Sequence, residues 1–298
     1  MVAPRFGSLL TAMVTPFEVD GSLALDVARD VARYLVAQGN DALVVAGSTG
    51  EGSSLSDEEK LDLFAAVAEA VTVPVLAGTS SSNTAHSVAL TSRVSATGVA
   101  GVLTTTPAYA RPSQSGIAAH FGAIASSTTL PVMLYDIPVR TGRKLASATT
   151  VRVVRENVNV VALKDASADL VAAAATKAEL GEALDLYSGD DALVLPFVAI
   201  GAVGLVSVAA HWAAPEFAAL VRSAHAGDWN AARALNARLA PSCQFETSET
   251  YPNPLPSKAV MRALGFSVGQ CRLPLGPGDD ELDESAREVL AALVATRG

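Results

Sequence analysis

Short β-rich runs and longer helical patterns alternate eight times along the first three quarters of this chain. That alternation constrains its fold more than any other feature. The β-rich runs lie at 9–14, 42–46, 73–77, 101–105, 132–135, 158–163, 184–187 and 202–208. Helical periodicity fills 24–37, 57–71, 84–96, 116–126, 148–155, 170–180, 192–200 and 216–224. Parallel strands need crossover connections, and a helix is the usual one. Eight strand–helix units within residues 1–225 predict a (β/α)8 TIM barrel. A doubly wound sheet is the alternative, but it normally has fewer units. Beyond the barrel, helical periodicity at 229–239, 258–264 and 284–295 predicts a C-terminal helical extension over 226–298, divided by Pro252, Pro254 and Pro256. Ser56 with Glu59 forms a capping box, and Asn83 is placed to cap the next helix.

One stretch tests this reading. No Asp, Glu, Lys or Arg occurs between Asp191 and Glu216. Pro196, Gly201, Gly204 and Pro215 interrupt the run and no basic cluster flanks it, so a helix followed by a buried strand fits better than a membrane span. The formal net charge of −9 argues against nucleic-acid or anionic-membrane partners, which require basic patches. Cys243 and Cys271 form neither a disulfide framework nor a metal spacing. The first ten residues lack the apolar core of a signal peptide. A cytoplasmic location is expected.

Barrel enzymes place their chemistry at the C-terminal ends of strands. The sixth strand leads into Lys164, and burial there would favour the free amine, which can form a Schiff base with a carbonyl. Taken alone, a snorkelling lysine paired with Asp165 is the simpler reading. The neighbouring strand ends shift the balance. The second is followed by Gly47-Ser48-Thr49-Gly50-Glu51-Gly52, the fourth by Thr106-Pro107-Ala108-Tyr109-Ala110-Arg111. The fifth ends in Tyr135-Asp136-Ile137-Pro138-Val139-Arg140-Thr141-Gly142, and the seventh runs into Ser188-Gly189-Asp190-Asp191. An amine, phenols, hydroxyls and a guanidinium thus converge on one barrel mouth, able to form an imine, move protons and hold a carboxylate. His86, His120 and His211 have no metal-like grouping, and Trp212 and Trp229 are expected in the core.

In order and at matching strand ends, these motifs make the whole chain resemble the pyruvate-dependent class I aldolases of the dihydrodipicolinate synthase and N-acetylneuraminate lyase family. The resemblance implies that Lys164 forms the Schiff base with pyruvate and that Tyr135 is the general acid and base. It implies that Ser48 and Thr49 hold the pyruvate carboxylate, and that Ser48 links Tyr135 to Tyr109 of a neighbouring subunit. Arg140 would bind the carboxylate of the aldehyde, and Gly189 and Val206 would line the pocket. Arg140 favours the synthase branch, which joins pyruvate to L-aspartate 4-semialdehyde in lysine and diaminopimelate synthesis. Ser48 points the other way, because most synthases carry threonine there. The rivals are another pyruvate aldolase, cleaving sialic acid or a keto-deoxy sugar acid, and a non-catalytic barrel that senses a keto acid. The resemblance further implies no metal, no cofactor beyond the covalent imine, and a homotetramer built from tight dimers. Ala108 departs from a tyrosine found in many relatives. At the feedback site, Gly52, Ser53, Asp57, Lys60, Ser82 and His86 lack a glutamate for the effector's ammonium, so inhibition by L-lysine is expected to be weak or absent.

Overall fold

The computed structural model of the chain describes residues 3–296; the outermost two residues at each end of the expected barrel and extension lie outside the described residues. The elements run β1 (Leu9–Ala12), α1 (Leu25–Ala37), β2 (Ala42–Val45), α2 (Asp57–Ala70), β3 (Val75–Gly78), α3 (Thr84–Arg93), β4 (Gly101–Thr105) and α4 (Gln114–Ser126). They continue with β5 (Val132–Asp136), α5 (Pro138–Thr141), α6 (Ser147–Glu156), β6 (Val160–Asp165), α7 (Leu170–Leu180), β7 (Asp185–Ser188), α8 (Val194–Ala199), β8 (Gly204–Ser207) and α9 (Ala210–His225). Then come α10 (Trp229–Phe245), α11 (Leu255–Ala263) and α12 (Asp280–Ala295). The eight strands pair in sequence order, all parallel, and β8 closes on β1. The chain is therefore a TIM barrel.

Strand alternation divides the core into two layers. One face of the strands points inward, where Leu10, Ala12, Val44, Leu76, Leu103, Met133, Tyr135, Ala162, Tyr187 and Val206 form one cluster. The other face packs on the helices through residues such as Leu43, Val102, Leu134, Leu163 and Leu186. A register shift where β5 meets β6 pairs Val132 with Val160 but Met133 with Ala162. The extra residue, Val161, re-phases β6 so that Ala162 faces the interior.

The last barrel helix and the extension share one apolar cluster: Trp212, Phe217 and Leu220 of α9, Leu239 of α10, Ala259 of α11 and Leu282 of α12. Both predicted caps are present. Ser56 Oγ accepts from Glu59 N–H while the Glu59 carboxylate accepts from Ser56 N–H, and Asn83 Oδ1 accepts from His86 N–H.

Some boundaries differ from expectation. The eighth barrel helix begins at Ala210, well before 216, and runs through Pro215 with a break at Ala213 (φ −118°, ψ 22°). Proline supplies no N–H and crowds the preceding turn, so the break falls just before it. The short helix α5 was not expected; Pro138 opens it and Gly142 ends it with φ 73°. Trp229 is no core residue. It opens α10 and is 37% exposed, whereas Trp212 is buried and donates Nε1–H to Ser242 Oγ. The apolar stretch 191–216 is divided among α8, β8 and α9, and among the described residues no helix is long and apolar enough to cross a membrane.

Candidate active site

Lys164 is inside β6, not beyond it. The ladder carries on through Tyr135↔Lys164 on one side and Lys164↔Tyr187 on the other. Two residues on from inward-facing Ala162, Lys164 must also face the barrel interior. It is 3% exposed. Its Nζ stands 4.5 Å from the centre of the Tyr135 ring, at cation–π distance. Asp165 takes the opposite face and accepts from Ser167 N–H, so it is not the lysine's partner.

Burial is the chief influence on the Lys164 ammonium and draws its pKa down to about 8. The carboxyls of Asp191 and Glu246 counteract this, while Arg140 adds to it. The amine is thus available near neutral pH. Burial also lifts the Tyr135 phenol above its ordinary range; Arg140 and a hydrogen bond with Ser48 oppose that lift. Tyr135 therefore remains protonated, ready to donate.

Space for Lys164 depends on Gly189. A Cβ at that position would come 2.9 Å from Lys164 Cγ and 2.9 Å from the Ala166 methyl. The turn after β2 is similarly tight. A Cβ on Gly52 would come 2.1 Å from the Ala46 carbonyl oxygen, and Ala46 and Glu51 both adopt left-handed backbone with φ 53°. Two contacts from the C-terminal region hold the turn in this shape. Glu51 Oε1 is 2.7 Å from Lys258 Nζ, and Glu51 Oε2 accepts from Arg272 N–H at 2.8 Å.

The residues singled out in the sequence occupy distinct positions. Ser48, Tyr135 and Arg140 line a cavity of about 360 Å³ together with Thr105, Ile137 and Pro274. Lys164 adjoins it behind the Tyr135 ring. Val206 is wholly buried in the inner cluster. Thr49 is buried, and its Oγ1 accepts from Asn253 Nδ2 at 2.9 Å, leaving its own O–H free to donate. Arg140 is exposed and donates Nη2–H to the Asn253 carbonyl at 3.0 Å. Tyr109 is not brought to this site within one chain. It is 96% exposed on a loop where it and Arg111 have φ of 67° and 45°. Among the described residues no group of three or more His, Cys, Asp and Glu side chains could hold a metal.

Sequence reading assigned no role to Asn253, Lys258, Glu246 or Asp191. Asn253 joins Thr49, 204 residues away in the chain, to Arg140, 113 away, with its side chain on one and its carbonyl on the other. Its only signal is a place in the Asn253-Pro254-Leu255-Pro256 segment.

A parallel barrel with a readily neutralised lysine beneath a tyrosine at the C-terminal ends of its strands is the architecture of an aldolase-type lyase. The comparisons agree. The profile of the Dihydrodipicolinate synthetase family matches residues 5–293. The 4-hydroxy-tetrahydrodipicolinate synthase of Moorella thermoacetica is 46% identical over 294 residues, 98% of this chain and 99% of that protein. The enzyme of the same name from Symbiobacterium thermophilum is 43% identical over 290 residues, 97% and 98% of the two chains. Among solved structures, the Cyanidioschyzon merolae dihydrodipicolinate synthase with lysine bound superposes with a TM-score of 0.94 at 37% identity, covering 97% of this chain and 98% of that one. The chain belongs to the dihydrodipicolinate synthetase family, and it is an enzyme of the lyase class.

Proposed function

We infer that this chain is a 4-hydroxy-tetrahydrodipicolinate synthase, acting on pyruvate and L-aspartate 4-semialdehyde through a Schiff base on Lys164. The observation that carries the mechanism is the position of Lys164 Nζ: buried, against the Tyr135 ring, and held by no hydrogen bond or salt bridge among the described residues. The activity is that of relatives 42–46% identical over nearly the whole chain.

The lone pair of Nζ attacks C2 of pyruvate, and the carbonyl π pair moves to oxygen. That oxygen takes one proton from the attacking nitrogen and a second from Tyr135 and leaves as water, and a protonated imine remains. This cation draws electrons from the adjacent methyl, which loses a proton to the Tyr135 phenolate to give an enamine. The enamine carbon bonds to the aldehyde carbon, whose oxygen takes up a proton. The amino group from the aldehyde substrate then adds to C2, Lys164 departs as the free amine, and the ring closes. No metal or separate cofactor enters any of these steps. Ser48, hydrogen-bonded to Tyr135, and the Thr49 hydroxyl would hold the pyruvate carboxylate. Arg140 uses one of its five N–H donors on Asn253 and keeps the others for the aldehyde's carboxylate. Gly189 and Val206 shape the wall beside the imine.

The exposure of Tyr109 supports a homotetramer of tight dimers, in which this phenol enters the partner's site and continues the Ser48–Tyr135 proton path. The two free cysteines support a cytoplasmic location. His86 Nε2 lies 2.8 Å from Asp57 Oδ2, so the one carboxylate among the residues of the expected effector site is already engaged; L-lysine is expected to inhibit weakly or not at all, unlike in feedback-controlled relatives.

A panel of aldehydes, each offered with pyruvate, tests this reading. Consumption of L-aspartate 4-semialdehyde alone supports it, and preference for a sugar aldehyde overturns it. Arg140→Ala is expected to raise the KM for the aldehyde far more than that for pyruvate; equal losses would remove its assignment.

A further inference from the structure

Two buried carboxyls act on the charge of Lys164 and take no part in the steps above. Asp191 starts the turn after β7 and is 2% exposed; Glu246 directly follows α10 in the C-terminal extension and is 9% exposed. Asp191 Oδ2 accepts from the N–H groups of Val208 (2.8 Å) and Ala209 (3.2 Å). Asp191 Oδ1 and Glu246 Oε2 are buried and face no N–H or O–H donor from the rest of the described chain. The two carboxyls instead lie within hydrogen-bonding reach of each other. Ionised carboxylates only accept, so this contact requires a proton between them. Asp191 Oδ2 is already occupied by two backbone N–H groups, while burial, with Asp191 and Asp190 beside it, raises the Glu246 carboxyl well above the ordinary range. The proton therefore resides mainly on Glu246.

We propose that Asp191 and Glu246 share one proton and serve as a positioning pair for Lys164, setting one negative charge, not two, against the cation on its Nζ. This rests on the Schiff-base reading, in which Nζ passes between a neutral amine and a positively charged imine. A full pair of carboxylates would hold the ammonium too firmly to release its proton. No carboxylate at all would leave the imine cation uncompensated in a buried site.

Among the described residues no other counter-ion faces the pair. His211 faces Asp191 but is neutral: its Nε2 accepts from Val14 N–H, its Nδ1–H donates to the Val208 carbonyl, and burial draws its pKa down to about 4. The Cys243 thiol lies near both carboxyls and is pushed upward by burial, so it stays protonated. Asp190 adds like charge from the same turn, and Arg140 approaches Lys164 from α5. Lys164 is thus the cation that the pair serves. The arrangement also ties the C-terminal extension to the chemistry, because Glu246 comes from outside the eight strand–helix units.

The test is the pH dependence of borohydride trapping of pyruvate on the full-length enzyme at subsaturating pyruvate, followed in wild type, Asp191→Asn, Glu246→Gln and the double variant. If one charge is shared, either single amide leaves one carboxylate and a donor for it. Each single midpoint should then stay within about half a unit of wild type, and the double midpoint should fall by about one unit or more, a tenfold gain in free amine below it. Single shifts as large as half the double shift or more, adding to it, would mean two independent charges and overturn the proposal. An unmoved double variant would also overturn it. Should the double variant fail to fold, the infrared carbonyl band of a protonated carboxyl decides: at pH 9 it should be present in wild type and lost in Glu246→Gln, and its absence from wild type refutes the shared proton. Absence of any wild-type adduct on Lys164 would instead strike the Schiff-base reading, and the infrared band would still judge the pair.

Discussion

Lys164 and Lys258 are the two most deeply buried lysines of the barrel interior and its C-terminal cover, at 3% and 1% exposure. Each places Nζ over an aromatic ring, Tyr135 at 4.5 Å and Phe17 at 4.2 Å. They differ in everything else. Lys258 has Glu51 at 2.7 Å and donates to the Gln270 carbonyl at 2.9 Å. Lys164 has a ring, a cavity beyond it and two carboxyls that together hold a proton, but no hydrogen bond of its own among the described residues. A buried ammonium with a full set of acceptors is a clamp; one without them is a base waiting to lose its proton. Burial and residue type are shared, so the partners decide the role.

The largest expected effect breaks this contrast at Lys164. Lys164→Ala should cut turnover by more than about a thousandfold, while circular dichroism shows the barrel retained. Lys258→Met should do the reverse. It strands Glu51 in the interior and is expected to cost about 3–5 kcal/mol of stability in denaturant titration, much of it regained when Glu51→Gln is added. Gly189→Ala sharpens the comparison by moving the Lys164 stem rather than removing it. The Cβ clash of 2.9 Å should lower kcat by about a hundredfold at near-normal stability.

The pH dependence follows from the same contrast. Lys164 must be the free amine to attack, so kcat/KM for pyruvate should fall by about tenfold per unit below pH 8 and level off above it. Stability responds as well. The folded pKa is depressed below the unfolded value, so between pH 8 and the ordinary lysine range the unfolded chain binds more protons, and stability rises with pH. Parallel melts of wild type and Lys164→Ala should show this rise only in the former. The smallest effect belongs to Asn253→Ala. Loss of one neutral hydrogen bond to Thr49 should raise the pyruvate KM by about fivefold.

The barrel was legible because strand and helix periodicities alternate along the sequence and because caps such as Ser56 and Asn83 announce themselves locally. Lys164 and Tyr135 were legible because both are polar residues at the end of an apolar run, where the architecture concentrates chemistry. Lys258 was not, since a lysine near the start of a helical pattern looks solvated until its partner, Glu51, is known to lie 207 residues away in another element. The Asp191–Glu246 contact and the Asn253 junction were hidden for the same reason: each is made by tertiary packing of the extension onto the barrel rim. Trp229 misled by its residue type, because a tryptophan at the first turn of α10 can leave its ring at the surface.

The most direct measurement is borohydride reduction in the presence of pyruvate, followed by peptide mass mapping of every lysine. The account requires a reduced pyruvate adduct on Lys164 and none on Lys258. An adduct on Lys258, or none on either, would contradict the claim that the missing partners of Lys164 make it the nucleophile.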